Sequence, residues 1–402
     1  MNRVVITGVG PVTPIGIGRD DFWENLVKGR SGIDQVSLID TTLHKNKRGG
    51  EVKNFEPSHF IHPRRQKIYG RGSQFAIAAS KLALDDARIN IEDVISKRLA
   101  IVIGTTMANI RELEETNKTW VADGEDKVDP HLIIKYPGSS LVFNVAYELG
   151  LNSPCYCIST ACAAGNYSIG YGFDLIRHNE IELALTGGAD PFSRISFTGF
   201  ENLFAMAPEK CQPFDKNRKG MMVGEGAGML VIESLEHAQK RSASIYAEIL
   251  GYGLSCDAKH MTLPSVEGLS NVMKKAVQET SIKQGDIDYI SAHGTGTKSN
   301  DSAEAQAINR VFPKWKKNIP VSSIKSMLGH TMGAASAIEA ISCVLAIQHC
   351  VIPPTINFEE PDKDCDIDCV PNKAREQKVG VALNNSFAFG GNNACLVLRK
   401  FS

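Results

Sequence analysis

Short apolar runs separated by amphipathic segments recur along the whole chain. Where apolar residues form runs of four or five, the pattern predicts buried strands. Where they recur three and four positions apart, as over 81–87 and 273–280, the pattern predicts helices. Strands and helices that follow one another in this way indicate an α/β protein. The strand candidates are 4–7, 100–103, 183–186, 229–232 and 395–398.

The order of predicted elements occurs twice. A helix, a turn, a strand and a Gly-Thr loop lead to Thr105 in the first half and to Thr295 in the second. A helical run then opens at Cys162 in one half and at His330 in the other. We therefore predict a duplication, with these two residues at equivalent positions. Chance matching of short segments is the alternative.

We expect the halves to be residues 1–240 and 241–402, joined through the exposed, charged segment 233–244.

Composition removes several classes of function. The chain has 402 residues, 43% of them hydrophobic, and a net charge of −1. Overall charge therefore predicts neither a nucleic-acid nor a membrane partner. No apolar run approaches the roughly 18 residues of a membrane helix, and the start of the chain already has the pattern of a strand. Ten cysteines without a leader sequence predict reduced thiols and a cytoplasmic protein.

One cysteine and two histidines lie in runs of small residues, which leave room for a substrate. Cys162 precedes Ala-Ala-Gly and a helical pattern, so we expect it at a helix N-terminus. The helix dipole favours its thiolate by about 1 kcal/mol, whereas each oxyanion-hole donor contributes roughly 3–4 kcal/mol. With His293 and His330, this predicts nucleophilic acyl transfer. The alternatives are a small buried cysteine and two structural histidines.

Metal and cofactor sites are not predicted. Neither histidine has a His-x-x-x-His or Cys-x-x-Cys partner nearby. The run 365–369 contains two cysteines and two aspartates, and a solvated acidic loop is its simpler interpretation. The glycines at 8 and 10 lack the spacing of a dinucleotide fingerprint, and prolines interrupt the helix that should follow.

These motifs together resemble the β-ketoacyl-[acyl-carrier-protein] synthases of the condensing-enzyme family, nearest the type I/II elongating synthases. The resemblance implies a thiolase-like fold, in which two duplicated α/β halves form a five-layered αβαβα core, usually as a homodimer. It covers essentially the whole chain and depends on six motifs, which are VITG at 5–8, STAC at 159–162, PFD at 213–215 with GEG at 224–226, HGT at 293–295, Lys325 with GH at 329–330, and FAFGGN at 387–392.

The resemblance assigns a role to each central residue. Cys162 would accept an acyl group, and His293 and His330 would hold the carbonyl of a malonyl thioester. Backbone N–H groups of Cys162 and Phe389 would form the oxyanion hole, and Phe389 would gate the acyl pocket. Lys325 would order the site near His330.

The family also implies supporting and substrate-binding residues. Lys325 is expected to pair with Asp301 and Glu304. A set of further residues would contact the phosphopantetheine arm or the acyl chain, with Met107 often contributed across a dimer; the set is Thr295, Thr297, Met107, Phe200 and Phe387.

Arg64, Arg65 and Lys67 precede a helical run together with Arg71. In relatives, such a patch docks an acidic acyl-carrier protein, and an ordinary solvated face is the alternative. The implied partner is thus an acyl-carrier protein bearing phosphopantetheine-bound acyl and malonyl groups.

The expected reaction is decarboxylative Claisen condensation of an acyl group with malonyl-acyl-carrier protein in fatty-acid elongation. The chain differs from the usual family pattern at two places, and both leave the identity of the acyl substrate open. Ala388 replaces a usual glycine, and the stretch 205–215 is short, as in polyketide or polyene condensing enzymes. A ketosynthase of such a pathway, with a heterodimeric partner, is therefore the main alternative. A thiolase would need a second cysteine where Phe389 stands, and a non-catalytic partner subunit would lack Cys162.

Overall fold

The computed structural model describes residues 1–93, 98–314 and 318–402, and in this part of the chain eleven strands form one central mixed sheet. Two strand pairs, β3–β4 and β12–β13, form separate small sheets. The strands are β1 Val4–Thr13, β2 Gly16–Ile17, β3 Ile33–Gln35, β4 Arg48–Gly50, β5 Leu99–Gly104, β6 Cys155–Ile158, β7 Leu183–Asp190, β8 Gly226–Ser234, β9 Ala247–Cys256, β10 Tyr289–Ser291, β11 Val321–Ser322, β12 Val351–Ile352, β13 Arg375–Glu376, β14 Val381–Phe387 and β15 Asn392–Lys400. Each of the five predicted strands falls within one of these, so those predictions are confirmed.

Helices cover both faces of the sheet. The two predicted helices, 81–87 and 273–280, coincide with the C-terminal parts of α3 and α9, which end at Asp86 and Gln278. Short 3₁₀ turns at Ala161–Ala163 and Met332–Ala334 precede α6 and α12. The helices are α1 Arg19–Val27, α2 Pro63–Gln66, α3 Arg71–Asp86, α4 Ile110–Asp123, α5 Ser139–Leu149, α6 Ala164–Arg177, α7 Arg194–Asn202, α8 Leu235–Lys240, α9 Val266–Gln278, α10 Lys298–Val311, α11 Lys325–Leu328 and α12 Ala335–His349.

The two halves of the sheet repeat one topology. The strand order is β1-β8-β7-β5-β6 in the first half and β9-β15-β14-β10-β11 in the second. From the middle outward, both orders pair antiparallel, antiparallel, parallel and parallel. Antiparallel pairing of β1 with β9 joins them. The predicted duplication is therefore confirmed, and we propose that the chain divides at residues 240 and 241, between α8 and β9.

The predicted equivalence of Cys162 and His330 is wrong. Ala161 and Met332 both have a positive φ, 49° and 53°, and both open the 3₁₀ turn before a central helix. Cys162 therefore matches Gly333, and His330 lies three residues earlier. The sequence comparison aligned the two helical runs but could not register the irregular turns that precede them.

Five layers result from this repeat. Helices α6 and α12 pack against each other between the two halves of the sheet, α3 and α5 cover the first half, and α9 and α10 cover the second. The central helices approach closely because Gly165 has no side chain: a Cβ there would lie 2.6 Å from the backbone nitrogen of Ala337. This contact places the starts of both central helices side by side.

One expectation about apolar runs needs correction. The stretch Met332–His349, which contains α12, is long and apolar enough to cross a membrane by composition. It is nevertheless buried inside the protein, where it packs against both halves of the sheet. Its apolar character therefore reflects a central core helix, which is hydrophobic on all sides.

We predict that Gly165→Ala lowers the free energy of unfolding by about 1–3 kcal/mol, because the added methyl group overlaps the backbone of α12. Gly199→Ala is the matched control, since a Cβ at Gly199 in α7 meets no atom within 4 Å. That control should be neutral or gain up to about 1 kcal/mol. Urea unfolding measures both, and equal losses of stability in the two variants would contradict the close helix contact.

Candidate active site

A cavity of about 410 Å³ lies where strands of both halves end. Cys162 follows β6, His293 follows β10, and Phe387 and Phe389 lie at the end of β14 and just beyond it. His330 follows the short helix α11. All five line the cavity. The structure thus brings together residues that are up to 227 positions apart, with the sulfur from the first half and both imidazoles from the second.

The nucleophile candidate lies on a tight turn. The positive φ of Ala161 directs the chain sharply from β6 into α6, and Cys162 is 7% exposed at the base of the cavity. Ser386 Oγ donates a hydrogen bond of 2.9 Å to the carbonyl oxygen of Cys162. A strand of the second half therefore holds the backbone of the turn that carries the thiol of the first.

Burial, and not the helix dipole, controls the ionisation of Cys162. Loss of water raises the pKa of the thiol to about 11. The charge of Lys325 and the backbone N–H groups of Phe389 and Cys162 lower this pKa, but by less than burial raises it. The thiol is therefore protonated at neutral pH, although the helix dipole by itself favours the thiolate.

Both imidazoles are neutral, and their contacts fix the tautomer. Burial, reinforced by the charge of Lys325, holds the pKa of His293 and of His330 well below the usual value. The amide of Met332 donates to His330 Nδ1 over 3.1 Å, and the amine of Lys325 lies 3.4 Å from His293 Nδ1. Since Nδ1 accepts in each ring, Nε2 carries the proton. The rings lie 5.4 Å apart, centroid to centroid. The cavity thus contains two neutral N–H donors.

The expected partners of Lys325 are wrong. The amine of Lys325 forms a buried ion pair with Glu339 in α12. Glu304 instead accepts hydrogen bonds from the amides of His293 and Gly294, at 2.9 and 2.8 Å. Asp301 accepts from the amides of Gly296 and Phe214. Both carboxylates therefore hold the loop that begins at His293.

Glu339 is the functional residue that the sequence reasoning missed. It is the one acidic residue in the mostly apolar helix α12. A carboxylate in such a helix needs a buried cation, because an unpaired buried charge is very costly. That isolated charge was a signal for a partner, but its position in the sequence does not say which lysine supplies it.

Most predicted substrate-binding residues lie in the cavity. Thr295, Thr297, Phe200 and Phe387 line it, and the hydroxyl oxygens of the two threonines are 2.9 Å apart. The ring of Phe200 lies 5.6 Å from that of Phe389. Met107 does not line the cavity within this chain, and its amide donates to Asp190 over 2.9 Å. Its role across a dimer stays a prediction.

Ala388 is less unusual than the sequence indicated. Its φ is −114° and its ψ is 155°, an extended conformation that any residue adopts. The positive φ angles of this loop fall on Gly390 and Gly391, at 82° and 77°. Alanine therefore adds no backbone strain at this position.

The basic cluster divides into exposed and paired members. Arg64 and Lys67 are exposed. Arg65 pairs with Glu148 at 3.3 Å and lies 4.9 Å above the ring of Tyr147. Two hydrogen bonds hold Arg71 on the buried carboxylate of Glu225, so this arginine is a structural residue. Within the described residues, none of the four lines the cavity.

Across residues 1–93, 98–314 and 318–402, no group of three or more histidine, cysteine or acidic side chains could hold a metal ion. The two cysteines of the 365–369 run are buried, whereas Asp366 is exposed and Asp368 is half-buried. The interpretation of that run as a solvated acidic loop is therefore confirmed for its carboxylates but not for its thiols. All ten cysteines of the chain are free thiols.

Comparison with known proteins identifies the family. Residues 1–238 match the N-terminal domain of β-ketoacyl synthases, and residues 246–359 match their C-terminal domain. The chain belongs to the β-ketoacyl synthase family, whose members are acyltransferases with the thiolase-like fold described above.

Relatives extend over the full length of the chain. It is 37% identical to 3-oxoacyl-[acyl-carrier-protein] synthase 2 of Synechocystis, with 99% of this chain and 98% of the relative covered. The structural matches to two solved proteins cover 100% of this chain and 100% of the matched chain. The ishigamide ketosynthase/chain length factor is 44% identical with a TM-score of 0.97. AntDE:AntF, a type II polyketide-synthase carrier protein in complex with its ketosynthase, is 32% identical with a TM-score of 0.91.

We predict that alkylation of Cys162 by iodoacetamide accelerates about tenfold per pH unit between pH 7 and 10, because only the thiolate reacts and its pKa is about 11. Peptide mass spectrometry follows this thiol separately from the other nine. A rate that is already constant at pH 7 would contradict the neutral thiol.

We also predict that Lys325→Met destabilises the protein by about 3–5 kcal/mol, because it leaves Glu339 buried without a cation. The double variant Lys325→Met/Glu339→Gln should recover most of that loss, since it removes both charges. Denaturant unfolding measures both variants. A double variant as unstable as the single one would show that the pair does not determine the effect.

Proposed function

We propose that this enzyme condenses an acyl group, bound as a thioester on Cys162, with malonyl-acyl-carrier protein and releases carbon dioxide and a β-ketoacyl-acyl-carrier protein. The observation that carries this proposal is the convergence of one thiol, two neutral imidazole N–H donors and a backbone amide loop on a single cavity. Such a site can form a thioester and stabilise an enolate without a strong base.

In the first step, the sulfur of Cys162 bonds to the carbonyl carbon of the incoming acyl thioester. The bond from that carbon to the carrier sulfur breaks, and the proton of the Cys162 thiol leaves on the carrier thiol. The backbone amides of Cys162 and Phe389 lower the pKa of the Cys162 thiol through hydrogen bonds to its sulfur. In this proposal they donate to the oxyanion of the tetrahedral intermediate, where each donor contributes roughly 3–4 kcal/mol.

In the second step, malonyl thioester enters, its carbon–carboxylate bond breaks and carbon dioxide leaves. The electron pair moves into an enolate, whose oxygen accepts from Nε2 of His293 and His330. The enolate carbon then bonds to the acyl carbonyl carbon, and the sulfur of Cys162 leaves as a thiolate that takes up a proton from solvent water. Because both imidazoles are buried and neutral, their N–H groups stabilise the enolate in a site of low dielectric constant.

Lys325 acts as a positioning residue in this proposal. Its amine contacts His293 Nδ1 and is held by Glu339, so the ring of His293 keeps the tautomer with a proton on Nε2. Glu304 fixes the backbone of the same histidine. Thr295 and Thr297, which line the cavity just before α10, would form hydrogen bonds with the amide groups of a phosphopantetheine arm.

The subunit interface is proposed at the edge of the first half of the sheet. Strand β6 ends the strand order there, and in the described residues its outer side pairs with no strand. The neighbouring helix α5 exposes the stacked rings of Phe143 and Tyr147. An open strand edge beside exposed aromatic rings favours pairing with a second subunit. That subunit is either a second copy of this chain or a related partner chain.

Fatty-acid elongation by a homodimer is one candidate pathway, and it is supported by the Synechocystis relative. A polyketide or polyene pathway with a partner subunit is the second. It is favoured by the 44% identity with the ishigamide ketosynthase/chain length factor. Free thiols throughout the chain support a cytoplasmic location in either case.

A condensation assay of the purified chain with hexanoyl-acyl-carrier protein and malonyl-acyl-carrier protein distinguishes the two pathways. If the isolated chain forms a homodimer that condenses these substrates, the first is supported. If condensation requires a coexpressed partner subunit, the second is supported. Product mass and the native mass of the enzyme are the measurements.

We predict that Cys162→Ala abolishes acylation, because it removes the only proposed nucleophile. His330→Ala should still become acylated but lose about 10²–10³-fold in condensation, the usual effect of removing one oxyanion donor. Intact-protein mass shows acylation, and carbon dioxide release shows the second step. His178→Ala, at an exposed histidine outside the cavity, is the control. A fully active Cys162→Ala enzyme would refute the assignment.

A further inference from the structure

One buried carboxylate between the two halves has no role in the proposed reaction. Asp190 is the last residue of β7 and is 1% exposed. Its Oδ1 accepts hydrogen bonds from the hydroxyl of Thr105 over 2.7 Å and from the amide of Met107 over 2.9 Å. Its Oδ2 accepts from the amides of Thr106 and Gly333, each over 2.7 Å. A carboxylate accepts at both oxygens in this way, whereas an asparagine side chain accepts at one only.

The donors to Asp190 come from both halves of the molecule. Three of them belong to residues 105–107, which follow β5 in the first half. The fourth is Gly333, which lies in the 3₁₀ turn that precedes α12 in the second half. A Cβ at Gly333 would lie 2.6 Å from the amide nitrogen of Thr106, so the loop and the turn are in direct contact. Asp190 therefore joins the two halves where α12 begins.

The second half binds the first half in an equivalent way. Gly333 and Cys162 occupy matching positions in the two 3₁₀ turns, and β7 and β14 occupy matching positions in the sheet. Asp190, at the end of β7, binds the turn of the second half. Ser386, the penultimate residue of β14, binds the turn of the first half. Each half thus fixes the turn that the other half contributes to the site.

The turn that Asp190 binds also fixes His330. The amide of Met332 donates to Nδ1 of His330, and the next amide along the chain, that of Gly333, donates to Asp190. The φ of Met332 is 53°, in the left-handed region that bulky side chains avoid. Such a backbone conformation persists only where the surrounding contacts maintain it. Without the carboxylate, the turn would relax and move the donor that keeps the proton of His330 on Nε2.

We propose that Asp190 is a positioning residue for the condensation step, because its carboxylate fixes the turn 332–334 and thereby the tautomer and orientation of the His330 ring. This inference rests on the proposed function, since it presumes that Nε2 of His330 donates to the enolate. Asp190 does not line the cavity, so it acts on the reaction only through other residues. Acylation of Cys162 does not use His330 in the proposed mechanism, and it should therefore depend little on Asp190.

The test is Asp190→Asn, which keeps the size of the side chain but replaces one acceptor oxygen by a donor that faces other N–H groups. The probes are hexanoyl- and malonyl-acyl-carrier protein of Synechocystis. Intact-protein mass follows acylation of Cys162, and carbon dioxide release by the acylated enzyme follows condensation. We expect condensation to slow about tenfold, because a small displacement of an oriented group is costly, while acylation stays within about threefold of the wild-type rate.

A double variant distinguishes this role from a general structural one. If Asp190 acts through His330, Asp190→Asn/His330→Ala should condense as fast as His330→Ala alone, because the ring that Asp190 positions is already absent. Losses that multiply in the double variant would show that Asp190 acts independently of His330, and they would overturn the proposal. Wild-type condensation in Asp190→Asn would overturn it as well.

Asp288→Asn is the matched control. Oδ2 of Asp288 also accepts from two amides, those of Gly380 and Val381, at 2.7 and 3.0 Å. Asp288 lies at the opposite end of β14 and does not line the cavity. The control should leave the rates of both steps unchanged. Equal slowing of condensation in the two aspartate variants would contradict a specific role of Asp190.

If Asp190→Asn does not fold, Thr105→Val decides the question. It removes one donor to the carboxylate with little change in shape, so condensation should slow about threefold while acylation is unchanged. Wild-type condensation in Thr105→Val would then overturn the proposal. A wild-type enzyme that neither becomes acylated nor releases carbon dioxide would instead refute the proposed function.

Discussion

The site depends on how closely the two central helices approach each other. Where α6 meets α12, Gly165 presents bare backbone, and the amide of Asn166 donates to Ser336 Oγ over 3.0 Å. Asn384 in β14 then joins both helices, because its side-chain amide donates to Asn166 and to the carbonyl of Ser336. Larger side chains would separate the helices, and they would also separate the sulfur from the imidazoles. Small residues at the helix starts are therefore a requirement of packing as much as of substrate access.

The electrostatic character of the cavity follows from the same packing. Burial in the cavity disfavours the charged form of each group, so the pKa of Cys162 is high and the pKa values of His293 and His330 are low. The charge of Lys325 is tolerated because Glu339 pairs with it. The result is a resting site with a neutral thiol and neutral donors. Such a site stabilises negative charge when the reaction creates it, which is what differential binding of a transition state requires.

Local patterns predicted a large part of the fold. Runs of apolar residues located five strands of the central sheet, β1, β5, β7, β8 and β15, because a buried strand needs a continuous apolar segment. The repeated order of elements predicted two similar halves, and the strand pairing repeats accordingly. The turns before α6 and α12 were misaligned, because a 3₁₀ turn with one positive φ has no strong composition of its own. The basic cluster likewise seemed uniform in sequence, although Glu148 and Glu225 bind two of its arginines.

The sequence by itself determined the chemistry that is available: one cysteine at a helix start, two histidines among small residues, and a glycine-rich loop near the C-terminus. Only the tertiary structure decided the pairing of Lys325 with Glu339 and the protonated state of the thiol. The physical reason is the separation along the chain between the residues that determine each feature. Strand and helix patterns arise from neighbours within a few residues, whereas an ion pair and a burial-shifted pKa arise from what distant segments place around a side chain.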